Sequence, residues 1–198
     1  AKGNIGVIEI NGVILSSKKT LRHLKAFRED KSIKAIVIRI ESPGGGIGPS
    51  QEIYREILKT RQKKKVLASM GAIAASGGYY IAAAADGIMA NPGTLTGSIG
   101  VIMEYASLIR IAEKIGISPV IVKSGEYKDM GSPFRELRPE EKQIFQDLVD
   151  ELHAQFVSDV ARARQIPQPT MALLADGRVY SGQNAQRLKL IDRLGNLE

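Results

Sequence analysis

A serine followed by two glycines, Ala75-Ser76-Gly77-Gly78, stands where small-residue sequence gives way to the apolar run that begins at Tyr79. At such a helix start the hydroxyl has two uses. It can cap the helix, or it can attack a carbonyl carbon while the neighbouring Gly77 N–H stabilises the oxyanion that forms. A nucleophile needs a base, and the only two histidines, His23 and His153, sit inside helical patterns with no acidic residue set for a Ser-His-Asp triad. Lysine remains, but an amine with an ordinary pKa near 10.4 accepts a proton at neutral pH only where its surroundings disfavour its charge. Ser16 and Lys19 have a Ser-x-x-Lys spacing, yet they lie in a polar loop that offers no desolvation. Lys128 lies in the glycine-punctuated stretch Ser124-Gly125-Glu126-Tyr127-Lys128-Asp129-Met130-Gly131, where a solvated loop lysine is the plainer reading. As a base it requires the flanking carboxylates of Glu126 and Asp129 to point elsewhere.

These residues need elements to hold them. Ile5–Ile10 reads as a strand, Thr20–Asp30 as a helix capped by Thr20, and Ala35–Ile40 as a strand buried on both faces that runs into Ser42-Pro43-Gly44-Gly45-Gly46. A helix from about Pro49 to Gln62 follows. The pattern then repeats as strand Val66–Met70, loop Gly71–Ala75 and helix Tyr79–Ala85. Both glycine loops thus join a buried strand to a helix, where free N–H groups and the helix dipole favour negative charge, although such glycines also serve ordinary tight turns. Neither has the Gly-x-x-x-x-Gly-Lys-Ser/Thr spacing of a phosphate loop. Further on come a short strand near Ile88, turns over Pro92–Gly100, a helix Ser107–Ile115 and a strand Pro119–Val122. Apolar positions from Ile144 to Val160 recur at three and four and predict one long helix from Pro139 to about Arg164. Strands alternating with helices predict an α/β fold with a largely parallel sheet.

With 198 residues, and with no linker or low-complexity tract, residues 1–198 are expected to form a single domain. The absence of cysteine removes thiol catalysis, Cys-ligated zinc, iron–sulfur clusters and disulfides. A net charge of +7 does not predict nucleic-acid binding, because the basic residues are scattered, with Lys63-Lys64-Lys65 the only run of three, and aromatics are few. The longest apolar run, Tyr79–Ala85, has seven residues against the roughly 20 of a membrane span. The chain begins on Ala1-Lys2-Gly3 with no initiator Met, so an upstream segment is expected to have been removed.

Ser42-Pro43-Gly44-Gly45, Ala75-Ser76-Gly77-Gly78-Tyr79-Tyr80, Gly97-Ser98-Ile99-Gly100-Val101 and Ser124-Gly125-x-x-Lys128 occur in one order on one chain. Together they resemble the signal peptide peptidase A family of serine proteases, as do Asp176-Gly177-Arg178-Val179-Tyr180-Ser181-Gly182-Gln183 and the closing Leu190-Ile191-Asp192. The resemblance covers nearly the whole chain. It implies the crotonase-like (ClpP/crotonase) fold of repeated strand-strand-helix units, in a single-repeat form. It also implies a Ser-Lys dyad with Ser76 as nucleophile, Lys128 as general base, Ser98 orienting the lysine, and the Gly77, Gly44 and Gly45 backbone as oxyanion hole, with no metal and no cofactor.

The implied substrates are leftover signal peptides and other short or unfolded hydrophobic segments. They would be cleaved outside the cytoplasm by a domain tethered to the bacterial cell membrane through an N-terminal helix absent from this chain. The single copy of each motif implies a ring-like homo-oligomer with each dyad completed across a subunit boundary. A pocket lined by the alanines and glycines around Ser76 and by Tyr79-Tyr80 is expected to take small or apolar side chains. Two rivals stay open on the sequence: a crotonase-type acyl-CoA enzyme, which would need neither Ser76 nor Lys128, and a catalytically silent scaffold that binds hydrophobic peptides.

Overall fold

The computed structural model describes residues 4–197; the Ala1-Lys2-Gly3 start, on which the expected upstream segment rests, lies outside them. Contacts divide the chain into two units, one running to Gly100 and resuming at Gln155, the other spanning Val101–Ala154.

In the first unit, alternation along β1 (Ile5–Asn11) buries Gly6, Ile8 and Ile10 and leaves the residues between them exposed. α1 (Lys18–Glu29) begins two residues before the expected Thr20. Ser17 takes the cap position and Thr20 is buried within the helix beside Leu24 and Arg28. Arg28 is tolerated there because it pairs with Glu56 and donates to Thr60 Oγ1 at 3.0 Å. β2 (Ala35–Ser42) and α2 (Ile47–Arg61) follow, the helix turning Ser50, Ile53, Tyr54, Ile57 and Thr60 inward at the three- and four-residue spacing of an amphipathic face. Then come β3 (Lys65–Ala75), α3 (Gly77–Ala83), β4 (Gly87–Ala90) and β5 (Leu95–Gly97). Every residue of α3 is buried. Its glycines and alanines let the backbone approach its neighbours closely, while Tyr79, Tyr80 and Ile81 fill the core around it.

The second unit holds α4 (Ile109–Lys114) and the first turns of α5 (Pro139–Arg164). α5 has the bounds the apolar period predicts, with Pro139, Glu140 and Glu141 in its first turn. The first unit closes with α6 (Gln168–Leu174), β6 (Val179–Ser181), α7 (Gly182–Arg187) and β7 (Arg193–Leu194). Among the described residues no helix is long and apolar enough to cross a membrane.

The sheet runs β1-β2-β3-β4-β7 with every pair parallel, while β5 pairs with β3 and antiparallel with β6. Register carries the buried row Ile8–Ile38–Ala68–Ile88 across four strands. Three expectations are corrected. The loop Gly71–Ala75 is strand, because β3 continues to Ala75 and pairs there with β5, which itself forms inside the expected turn region Pro92–Gly100. Pro119–Val122 carries no strand, since no neighbouring strand pairs with it among the described residues. The helix expected over Ser107–Ile115 is only the six residues of α4.

Candidate active site

β3 aims Ser76. Between Ile40↔Met70 and Ser42↔Ala74 the β2–β3 register shifts, so extra residues of β3 bulge out of the ladder. The Glu41 carboxylate accepts from the freed amides of Ala72 at 2.9 Å and Ile73 at 3.1 Å. Ser76 then turns sharply into α3 with φ 52° and ψ −120°, a conformation that costs a residue bearing a Cβ about 1–3 kcal/mol and is held only where its surroundings require it. Those surroundings are the Gly97 carbonyl, which accepts the Ser76 N–H at 2.9 Å, and the Tyr80 N–H, which donates to the Ser76 carbonyl at 2.9 Å. Although Ser76 stands at the cap position, its hydroxyl makes no capping bond. It is half-buried.

The other glycine loop packs against this turn. A methyl group on Gly44 would lie 2.8 Å from both the Ser76 Cβ and the Gly77 nitrogen, and one on Gly45 would lie 2.4 Å from the Ile14 carbonyl oxygen. Both positions also have positive φ, 108° and 156°, so only glycine fits. Most polar groups of the loop are committed. Gly44 N–H donates to Ser42 Oγ at 3.1 Å, the Gly44 carbonyl accepts from Ile14 N–H at 2.8 Å, and Gly46 N–H donates to the Ile14 carbonyl at 2.8 Å. Ser50 Oγ donates to the Gly46 carbonyl at 2.9 Å. The C=O and N–H of a trans peptide point in opposite directions. With the Gly44 carbonyl turned to Ile14, the Gly45 N–H therefore faces away from Ile14, at an exposed position.

Ser98 follows β5 directly, next to the Gly97 carbonyl that holds Ser76. It is half-buried, has φ 50°, and its N–H donates to the Arg178 carbonyl at 2.8 Å. The Arg178 guanidinium pairs with Asp176. Tyr79 and Tyr80 do not line a substrate pocket, because both are core residues. Tyr79 donates to the Leu190 carbonyl at 2.8 Å. Tyr80 packs between the rings of Tyr54 and Phe156 and donates to Asp159, and burial pushes its hydroxyl pKa well above the usual tyrosine value.

Lys128 is exposed and lies in the second unit, in a run of turns closed by Lys128 N–H to the Gly125 carbonyl at 3.2 Å and Met130 N–H to the Tyr127 carbonyl at 3.0 Å. An ion-pair cluster surrounds that run. Asp129 takes Lys123 at 2.7 Å and Arg135 at 2.8 Å; Glu141 takes Arg135 at 2.5 Å and Arg138 at 2.9 Å; Glu126 takes Arg138 at 2.9 Å. Glu141 Oε2 also accepts the Arg138 N–H at 3.0 Å, ahead of the first turn of α5. Arg135 and Lys123 hold the Asp129 carboxyl well below the usual range, and Arg135 and Arg138 do the same to Glu141. Of the residues that shape the loops, Ser42 opens a quoted motif, while Glu41, Ser50, Arg135 and Glu141 carry none. Among the described residues no cluster of His, Asp and Glu could hold a metal ion.

The model of the family described as Peptidase family S49 matches residues 59–198, and that of Clp protease matches residues 13–95. The chain belongs to peptidase family S49. Its sheet and helices are the ClpP/crotonase-like fold, and the S49 chain is a serine peptidase, which removes acyl-CoA chemistry from the readings open to the sequence. Among its relatives, "Putative protease slr0021" from Synechocystis sp. is 48% identical over 98% of the chain, which spans 70% of that protein. "Serine protease SPPA, chloroplastic" from Arabidopsis thaliana is 38% identical over 97% of the chain, and "Protease 4" from Salmonella typhi is 34% identical over 99%. The chain spans only 28% and 33% of the length of those two.

Proposed function

We propose that residues 1–198 act as one peptidase domain that hydrolyses residual signal peptides and other short or unfolded hydrophobic segments by a Ser-Lys dyad. Ser76 is the nucleophile and Lys128 the general base. The observation that carries the reading is Ser76 in a strained turn packed against Gly44, with the Gly45 N–H turned outward and uncommitted. Ser76 Oγ attacks the scissile carbonyl carbon as its proton passes to the Lys128 amine. The carbonyl oxygen becomes an oxyanion that accepts from the N–H groups of Gly77 and Gly45, the share of the Gly44-Gly45 pair falling to Gly45 because the Gly44 N–H is bonded to Ser42. Collapse expels the new amine, which takes the proton from Lys128 and leaves an acyl ester on Ser76. Water, deprotonated by Lys128, hydrolyses that ester and restores the hydroxyl. Ser98 orients the lysine.

The exposure of Lys128 in a single chain supports a homo-oligomer, ring-like in form, in which a neighbouring subunit desolvates the amine. The names Protease 4 and SPPA, borne by the relatives, support peptide substrates, and we place the domain outside the cytoplasm, tethered to the bacterial cell membrane. The test is Ser76→Ala. Loss of one member of a catalytic unit costs on the order of 10⁴ to 10⁶ in rate, and a fluorophosphonate that labels the native chain at Ser76 should leave the variant unlabelled. Undiminished cleavage of an unstructured hydrophobic peptide by that variant would defeat the assignment.

A further inference from the structure

We propose that Ser42 is a positioning residue for the oxyanion hole: its hydroxyl locks the glycine loop so that the Gly45 N–H faces the reacting carbonyl. This deepens the reading of Ser76 as nucleophile and rests on it. Ser42 is the last residue of β2 and is fully buried. Its Oγ lies 2.6 Å from the Gly12 carbonyl and 3.4 Å from the Gly44 carbonyl, so its one proton goes to Gly12. The oxygen is then left as acceptor for the Gly44 N–H at 3.1 Å. A relay therefore runs from the Gly44 amide through the serine to Gly12, whose own N–H donates to the Glu41 carbonyl at 2.9 Å. Ser42 also lies beneath the start of α3, since a methyl group on Gly78 would come 2.8 Å from its carbonyl oxygen.

The relay matters because two successive glycines present almost no steric barrier to rotating the peptide between them. Hydrogen bonds, with the close packing on Ser76 and Ile14, fix that plane. Ile14 N–H holds the Gly44 carbonyl from one side, and Ser42 Oγ holds the Gly44 amide on the preceding peptide, so the two anchors bracket the Gly44 dihedrals. Removing the hydroxyl leaves the Gly44 N–H and the Gly12 carbonyl without this partner. The loop can then regain a partner for the amide by turning it toward the carbonyl oxygen of the substrate or toward water, and the Gly45 N–H loses its aim. An oxyanion donor that is misaimed weakens the transition state and leaves ground-state binding of the extended peptide largely intact.

The experiment compares Ser42→Ala and Ser42→Thr with the native chain in kcat, KM, affinity for a peptide boronic acid and thermal unfolding. Ser42→Ala should lower kcat by roughly 10- to 100-fold, less than the 10²–10³ of a deleted donor, with KM close to native. Boronate affinity should fall in step, because its tetrahedral adduct uses the same donors, and Ser42→Thr, which keeps the hydroxyl, should recover most of both. Should Ser42→Ala not fold, Ser42→Cys keeps a slightly larger side chain of the same branching with only a weak hydrogen-bonding group and carries the same expectation. Native kcat and boronate affinity beside a lowered unfolding temperature would overturn the proposal, leaving Ser42 a stabilising residue only. The two readings fail differently. Native activity in Ser76→Ala removes both, whereas a dead Ser76→Ala beside a fully active Ser42→Ala removes this one alone.

Discussion

Arg135 grips both oxygens of the Asp129 carboxylate, Nε to Oδ2 at 2.8 Å and Nη2 to Oδ1 at 3.0 Å, one residue past Lys128. On the other side of Lys128, Glu126 gives its carboxylate to Arg138 at 2.9 Å. Each acidic neighbour of the lysine is thus engaged by a cation. The Arg135 fork does this bidentately, a geometry that lysine could not copy.

The cluster makes the second unit acid-sensitive. Asp129 and Glu141 are held below their ordinary values of 3.8 and 4.5 by their arginine and lysine partners. A carboxylate depressed in the folded state contributes stability above its unfolded value and loses it as pH falls through the folded one. Amide exchange within Val101–Ala154 should therefore accelerate as pH drops below about 4, where these groups begin to protonate when unfolded. Arg135→Gln should loosen the unit at neutral pH and flatten that acid dependence. Protection that stays constant down to low pH in the native chain would contradict the role given to the cluster.

For the dyad, kcat/KM should rise with pH into the alkaline range, because only the neutral amine takes the proton of Ser76. Lys128→Arg should be nearly inactive at every pH, since guanidinium stays protonated. A flat profile between about pH 6 and 9 would count against Lys128 as base.

Subunit exchange tests whether the dyad is shared. Ser76→Ala and Lys128→Ala, each inactive alone, should recover activity when mixed, because some sites then combine Ser76 of one chain with Lys128 of another. A heterologous interface of this kind closes into a ring when its rotation allows. Verified mixed oligomers that stay dead would place both residues in one chain.

Cleavage should favour extended segments with small or apolar residues beside the scissile bond. Alanines and glycines flank Ser76 and offer no charge, while an extended peptide can align with exposed backbone such as that at Gly45. Digestion of a peptide library that selects charged residues there would overturn this preference.

Local chemistry made much of the chain legible in advance. Alternation in Ile5–Ile10, the β-branched run Ala35–Ile40 and the three-four recurrence from Ile144 to Val160 each report burial on one period, and the elements formed where those periods run. Where the period was weak, contacts with distant chain took over. Gly71–Ala75 has the composition of a loop but became strand because Thr94 and Thr96 donate to the Gly71 and Ala74 carbonyls at 2.7 Å while β5 pairs alongside. Tyr79-Tyr80 resembles a pocket lining in sequence, yet α3 is enclosed on all sides and both rings went into the core.

The same division holds at the site. That Ser76 precedes a helix and has Gly77 N–H beside it follows from adjacency in the chain, so sequence alone determined it. Which glycine amide stays free is decided by a local bond from the Gly44 N–H to Ser42 together with partners 30 residues away, Ile14 on the Gly44 carbonyl and Gly12 on the Ser42 hydroxyl. Likewise the partners of Glu126 and Asp129 are fixed only by the folded positions of Arg138 and Arg135. Residue types state which hydrogen bonds and ion pairs are possible. Tertiary structure decides which donor meets which acceptor, and so which groups remain for a substrate.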